Sequence, residues 1–202
     1  MALEARVTAL EALLHSVPSN FPASEDSPAL SRVRGALSRV PGSALFRVPS
    51  HYYDLPLRAR ARILNCSPHQ LCKTLIFGIP AGASLPGVPA ARHVAVVVPY
   101  THKLDVGSLQ RALGGAPGLA LAADGAALAG FSHNAVSPFG MAARMAVIWC
   151  KGALSGGGAV WVGGGAPDVK ARVFAGALLK SGDAPAAVLD VSVPRGEEEW
   201  ER

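Results

Sequence analysis

A lysine at strand spacing among apolar residues is the feature of this sequence richest in chemistry. Within Leu71-Cys72-Lys73-Thr74-Leu75-Ile76-Phe77, the two-residue period of a strand puts Leu71, Lys73, Leu75 and Phe77 on one face and Cys72, Thr74 and Ile76 on the other. Burying an unpaired ammonium on such a face costs several kcal/mol even after relaxation. Lys73 is therefore expected to reach a cavity, a carboxylate or an anionic ligand, unless its stem runs past the strand end to solvent. A second feature is the run Gly130-Phe131-Ser132-His133-Asn134-Ala135-Val136-Ser137-Pro138-Phe139-Gly140. Glycines bracket a stiff Ser-Pro-Phe turn, which can aim backbone amides at one point and let a ligand approach the main chain closely. An ester carbonyl gathering negative charge would need such amides, although a plain surface loop fits the same residues. His133 is a candidate general base without an orienting partner in the sequence.

Other chemistries lack their residues. Gly156 to Gly158 and Gly163 to Gly165 are glycine-rich, but no GxxxxGK[ST] is present and no GxGxxG follows a strand and opens a helix, so ATP and dinucleotide binding are unsupported. No GxSxG elbow is present to carry a serine nucleophile. Cys66, Cys72 and Cys150 are odd in number and form no CxxC or Cys/His cluster, which gives neither a disulfide framework nor a zinc site. No cofactor and no metal are expected.

The elements that must position these residues read as follows. Leu3, Val7, Leu10, Leu14 and Val17 recur at steps of four and three, the stripe of an amphipathic helix that docks on the domain or dimerises. Pro18 to Ser27 reads as a linker. Ser27 as N-cap with Pro28 behind it opens a helix that buries Leu30, Val33, Leu37 and Val40. A short strand is expected at Ala44 to Val48, an arginine-studded helix at Leu57 to Leu64, and the lysine strand at Leu71 to Ile79. After a Pro/Gly/Ala loop from Pro80 to Ala91, His93 to Val98 is a continuous β-branched run and the clearest buried strand. A helix follows at Asp105 to Leu113, a strand at Leu119 to Leu121, and a short helix at Ala123 to Ala129. Further strands fall at Met145 to Cys150, Ala159 to Val162, Val169 to Val173 and Ala187 to Val191, with a helix at Phe174 to Leu179. Strands outnumber the intervening helices and some are joined by short turns, which predicts a mixed α/β (α+β) sheet. The expected division is an N-terminal helix and linker (1–23), one domain (24–194) and a loose acidic tail (195–202).

Half of the 202 residues are apolar and 16% are charged, a balance that suits a compact fold and argues against disorder. No apolar run approaches the roughly 20 residues of a membrane helix, and the first sixteen residues carry acids, unlike a signal peptide; the expected placement is cytoplasmic. The charge is uneven. Between Ser31 and Pro80, Arg32, Arg34, Arg39, Arg47, Arg58, Arg60, Arg62 and Lys73 stand against Asp54 alone. Such a concentration attracts phosphate backbones at long range, or is simply a solvated face.

The arginine helix leading into Asn65-Cys66-Ser67-Pro68-His69-Gln70-Leu71-Cys72-Lys73-Thr74-Leu75, the strand His93 to Val98, Lys103-Leu104-Asp105, Gly130-Phe131 with Val136-Ser137-Pro138-Phe139-Gly140, and Ala159 to Gly165 together resemble the YbaK/ProX family, the prolyl-tRNA-synthetase-associated domain. The resemblance covers roughly Ser24 to Val193. It implies a curved, partly barrel-like mixed sheet flanked by helices, and a trans-editing hydrolase that cleaves the ester of mischarged tRNA, with cysteine or a similarly small amino acid attached. It further implies that Lys73 is the essential lysine engaging the terminal adenosine end. By the same likeness Gly130, Phe131, Val136, Ser137, Pro138, Phe139 and Gly140 hold the aminoacyl ester; from the basic stretch, Arg58 and Arg62 are the residues expected to face tRNA. The late glycine turn reads Gly164-Gly165-Ala166-Pro167-Asp168, without the histidine of the alanine-editing branch, so alanine specificity is not implied. Expected partners are mischarged tRNA and, through the first helix, an aminoacyl-tRNA synthetase or a second copy of the chain; no membrane partner is expected. The alternative is a non-catalytic adaptor that holds tRNA or a synthetase with the same surface.

Overall fold

A computed structural model describes residues 26–80, 92–115 and 117–200. The expected N-terminal helix and most of the linker and of the Pro80 to Ala91 loop lie outside the described residues. Helix α1 (Pro28–Leu37) starts as its sequence predicts: Ser27 caps it, accepting the Leu30 N–H at 3.3 Å, and Leu30, Val33, Ala36 and Leu37 are buried. Strand β1 (Ala44–Arg47) leads through a 3-10 turn (Tyr52–Asp54) into α2 (Leu57–Ile63). A second 3-10 turn (Pro68–Gln70), closed by a capping box between Ser67 and Gln70, then delivers the chain into β2 (Cys72–Gly78). There follow β3 (His93–Pro99), β4 (His102–Leu104), α3 (Val106–Ala112), β5 (Ala120–Leu121) and α4 (Gly125–Leu128). Next come β6 (Ala146–Cys150), α5 (Lys151–Leu154), β7 (Ala159–Gly163), β8 (Val169–Phe174) and α6 (Ala175–Leu178). The described chain ends with β9 (Ala187–Leu189), β10 (Ser192–Pro194) and α7 (Glu197–Trp200).

The larger sheet runs β5-β2-β3-β6-β9, antiparallel from β5 to β3 and parallel from β3 to β9. It is the mixed α/β arrangement expected. Its centre is β3, whose Val94 to Val98 are fully buried, because residues on a strand packed on both faces have no solvent side on which to alternate. One face of the sheet packs with α1 and the smaller sheet around Val97, Trp149, Phe139 and Val162. The other packs around Val96, Leu109 and Ile148. A third apolar cluster joins α2 and the first 3-10 turn to Trp161 and Trp200.

Three differences from the sequence reading have physical causes. The strands divide into three sheets, β1-β8-β7 and β10-β4 standing apart from the larger one; no closed barrel is detected among the described residues, which leaves the mixed α/β reading as it stands. With only two residues, β5 covers β2 at Phe77 and Gly78 alone. β4 and β10 pair with each other over three residues each, too short for any period to reveal. The acidic tail is not loose over residues 197–200: Trp200, 8% exposed, anchors a helical turn among Leu57, Ala61 and Leu64.

Candidate functional site

Along its outer edge β2 has a strand beside it only at Phe77 and Gly78. Just before these, the Ile76 carbonyl accepts the Ala122 N–H at 2.9 Å, and beyond the other end of the strand Leu71 meets Trp161 of β7 in an isolated bridge. Between these contacts a cavity of about 380 Å³ opens, covered by Tyr53, Tyr100, α4 and the segment from His133 to Val136. A bare strand edge is normally a liability; here it forms one wall of a cavity that opens to solvent.

Lys73 lines this cavity with its Nζ 5.6 Å from the centre of the Tyr100 ring. Burial and, second, the charge of Arg195 hold its pKa below the ordinary lysine range. The ring face returns about 0.5–2 kcal/mol of that desolvation, and an incoming anion would return more. Arg60 lies 5.5 Å from the ring centres of both Tyr53 and Tyr100, its Nε donating to the Leu55 carbonyl. Thr74, 9% exposed, also lines the cavity, and its Oγ1 has no hydrogen-bond partner among the described residues. The wall changes character along β2. Near Lys73 stand cations and tyrosine rings, with no carboxylate in the lining; near Ile76 stand Leu121, Ala122, Ala123, Gly125 and Ala126. A Cβ on Gly125 would come within 2.8 Å of the Ile76 Cβ, so only glycine lets α4 pack this closely on β2.

The glycine-bounded loop divides between two places. Val136 lines the cavity with Lys73, as do His133 and Asn134. Ser137 is fully buried and accepts the Phe139 N–H at 3.2 Å. Pro138, Phe139 and Gly140 border a separate groove against α1. Gly130 and Phe131 stand outside the cavity wall as well: Arg32 of α1 donates to the Gly130 carbonyl at 2.8 Å and to the Gly140 carbonyl at 3.0 Å, with its guanidinium 5.8 Å from the centre of the Phe131 ring. One arginine thus holds both ends of the loop. The glycines closing β7 serve the same end, because a Cβ on Gly163 would fall 2.1 Å from the Val136 carbonyl oxygen. Gly165 donates its N–H to Ala135 at 3.1 Å.

On α2, Arg58 pairs with Glu197 at 2.6 Å and stacks over Trp200, whereas Arg62 is exposed. Asp105, part of the Lys103-Leu104-Asp105 motif, caps α3 by accepting the Ser108 N–H. The Ser108 hydroxyl and then its N–H hold the Asp105 carboxyl below its ordinary range. Among the described residues no group of three His, Cys, Asp or Glu side chains could hold a metal, and no helix is long and apolar enough to cross a membrane. Sequence reasoning missed Tyr53, Tyr100 and the Arg195 beside Lys73. Tyr100 directly follows the valine strand, and that position was its one available signal.

The model of a family described as the aminoacyl-tRNA editing domain matches residues 57–180. Among solved structures, a candidate trans-editing enzyme for prolyl tRNA synthetase is 25% identical with a TM-score of 0.66, over 85% of this chain and 100% of that one. A chain from work on grafting epitopes onto scaffold proteins by computational design is also 25% identical, with a TM-score of 0.64, over 85% of this chain and 99% of that one. No curated protein matches.

Proposed function

We infer that this chain, which belongs to the aminoacyl-tRNA editing domain family, is a deacylase that hydrolyses the ester of mischarged tRNA, and that the cavity along β2 is where it does so. The observation that carries this reading is that Lys73 and Val136 of the glycine-bounded loop line one cavity of about 380 Å³. The lysine end, rich in cations and rings, suits the anionic, aromatic 3′ end of tRNA, onto which bases can stack. The end near Ile76 suits a small acyl side chain, such as that of cysteine, because Ala122, Ala123, Gly125 and Ala126 leave an apolar and shallow wall.

In this reading Lys73 positions the terminal adenosine and neutralises charge near it. Water adds to the ester carbonyl, the bond from the acyl carbon to the ribose oxygen breaks, and the proton ends on the ribose hydroxyl. Free amino acid and tRNA leave. Holding ester and water in register can supply about 7–11 kcal/mol of the barrier in favourable cases, so no protein nucleophile is required. Cys72 is not suited to that role: burial pushes its thiol well above the ordinary range, which keeps it from forming a thiolate. Association with a synthetase through residues 1–23 extends this reading to a partner.

The test is a panel of tRNAs charged with small and large amino acids, followed by release of the amino acid with and without Lys73→Ala. Selective hydrolysis of small acyl groups, lost in the variant, is expected. Hydrolysis of none, or full activity in Lys73→Ala, would overturn the reading. The adaptor alternative predicts tRNA or synthetase capture that survives Lys73→Ala and is lost on deleting residues 1–17.

A further inference from the structure

A second lysine stands behind the wall of the same cavity, in contact with Tyr53, which lines it. Lys170 lies in β8 at 5% exposure, opposite Phe46 of β1 and Gly163 of β7. Its Nζ donates to the Tyr53 hydroxyl and sits 4.2 Å and 5.0 Å from the ring centres of Tyr53 and Tyr52. The Tyr53 hydroxyl in turn donates to the Asn134 carbonyl at 2.6 Å. Tyr53, Asn134 and Gly163 all line the cavity. The other titratable and charged groups around this chain of contacts are Arg60 of α2, whose charge acts on Lys170 and Tyr53, and Tyr100 at the end of β3, whose phenol acts electrostatically on that of Tyr53. Asp168, just ahead of β8, is engaged by Arg47 at 2.7 Å. No carboxylate comes within ion-pair distance of Lys170 among the described residues.

We propose that Lys170 is a positioning residue for deacylation: its ammonium holds the Tyr53 phenol, which holds the Asn134 carbonyl and so fixes the wall against which the ester is presented. The proposal rests on the deacylase reading of this cavity. An apolar side chain at position 170 would complete the packing without the desolvation cost of a buried cation, so packing alone does not account for the lysine. What the lysine adds is direction. Burial, then Tyr100, keeps the Tyr53 phenol far above its ordinary range, so it remains a neutral donor whose one proton goes to Asn134 and whose oxygen accepts from Lys170. Asn134 has φ of 62°, the left-handed region that asparagine tolerates but does not prefer. Fixing its carbonyl holds that conformation and, with it, the placement of His133 and Val136 on either side.

The arrangement carries its own signature. Burial, then the charge of Arg60, brings the Lys170 pKa down to about 7. Above that pH the donor to Tyr53 is a neutral amine, and the bond loses the charge assistance that roughly doubles its strength.

The experiment compares wild type, Lys170→Met and Tyr53→Phe on one hydrolysed aminoacyl-tRNA across neutral pH. Taking the ratio of wild-type to variant kcat/KM cancels the titration of the substrate's own amino group. We expect each variant to lose about 10-fold to 100-fold in kcat, the scale of a misplaced reacting group, with KM little changed and the ratio falling as pH rises through about 7. The double variant is expected to be no worse than either single one, as for two residues of one contact chain. A folded Lys170→Met with the kcat and pH profile of wild type overturns the proposal, as does a double variant whose losses multiply. Should Lys170→Met fail to fold, Tyr53→Phe decides alone, because it removes only a hydroxyl: an unchanged profile overturns. A wild type that hydrolyses no charged tRNA overturns the deacylase reading and this proposal with it, whereas an active wild type with an unaffected Lys170→Met overturns only the latter.

Discussion

The cations of this chain live under two regimes. Around α1 each arginine is tied to an oxygen: Arg32 to the Gly130 and Gly140 carbonyls, Arg34 to Asp26 at 2.7 Å, Arg39 to Asp183 at 2.6 Å. Around the β2 cavity Lys73, Arg60 and Lys170 rest on tyrosine rings; Arg60 also donates to the Leu55 carbonyl and Lys170 to the Tyr53 hydroxyl, but no carboxylate pairs with any of the three among the described residues. A charge matched by oxygens in the folded chain has its electrostatic work done, and removing it leaves orphaned acceptors. A charge held on ring faces in a carboxylate-free pocket is still attractive to an anion. The first regime builds the loop and the second is available to a ligand, so substitutions in the two should separate stability from activity.

The largest expected effect is at Lys73. Lys73→Ala should lower kcat/KM for deacylation by at least about 100-fold, equivalent to roughly 2.7 kcal/mol of transition-state stabilisation, while the melting temperature stays near that of wild type. A parallel collapse in stability would break the comparison by making Lys73 a structural cation. The counterpart is Arg32→Met, which orphans the Gly130 and Gly140 carbonyls. A loss of about 2–3 kcal/mol, on the scale of hydrogen bonds to charged groups, should lower the melting temperature by roughly 4–12 °C for a chain of this size. The folded fraction should keep its kcat. If Arg32→Met instead melts normally and loses turnover, the groove beside α1 belongs to the site after all.

The same contrast explains what could be read from the residues in advance. Lys73 is legible because a period of two places it beside Leu75 and Phe77, and a cation on an apolar face demands an account. Val136 to Gly140 is legible because glycine and proline mark unusual backbone. Tyr53 and Lys170 are not, because their meeting depends on residues 117 positions apart. In Val169 to Phe174 the alternation puts Lys170 with Arg172, which reads as the solvated face of a strand; only the 3-10 turn carrying Tyr52 and Tyr53 buries it. The division of the loop between cavity and groove was hidden for a similar reason. Arg32, far away in the sequence, ties the Gly130 and Gly140 carbonyls outside the cavity.

A smaller effect sharpens the contrast within the ring-held group. The folded pKa of Lys170, about 7, lies below the ordinary lysine value. Between the two, the unfolded chain therefore holds a proton that the folded chain does not, and stability contributed at this position rises with pH across that window. Lys170→Met lacks the titration. Relative to that variant, wild type should gain roughly 1–3 kcal/mol of unfolding free energy between about pH 6 and pH 9, at 1.36 kcal/mol per unit, measured by denaturant unfolding. A constant difference would mean that Lys170 keeps an ordinary pKa and that its contact with Tyr53 is not desolvated.

The smallest effect concerns the surface of α2, where both regimes meet. Arg58 is already answered by Glu197 and Trp200 of α7, whereas Arg62 is exposed. If oxygen-matched charges are structural and unmatched ones serve tRNA, Arg62→Ala should weaken tRNA binding by less than about 1 kcal/mol and reduce the slope of log affinity against log salt by about 1. Arg58→Ala should leave that slope nearly unchanged and instead loosen α7, seen as a change in Trp200 fluorescence, since the guanidinium stacks 5.4 Å from the ring centre. Equal slopes for both variants would mean that tRNA displaces Glu197 and takes Arg58 for itself. In that case α7 competes with phosphate for the arginine helix, and deleting residues 197–202 should raise tRNA affinity.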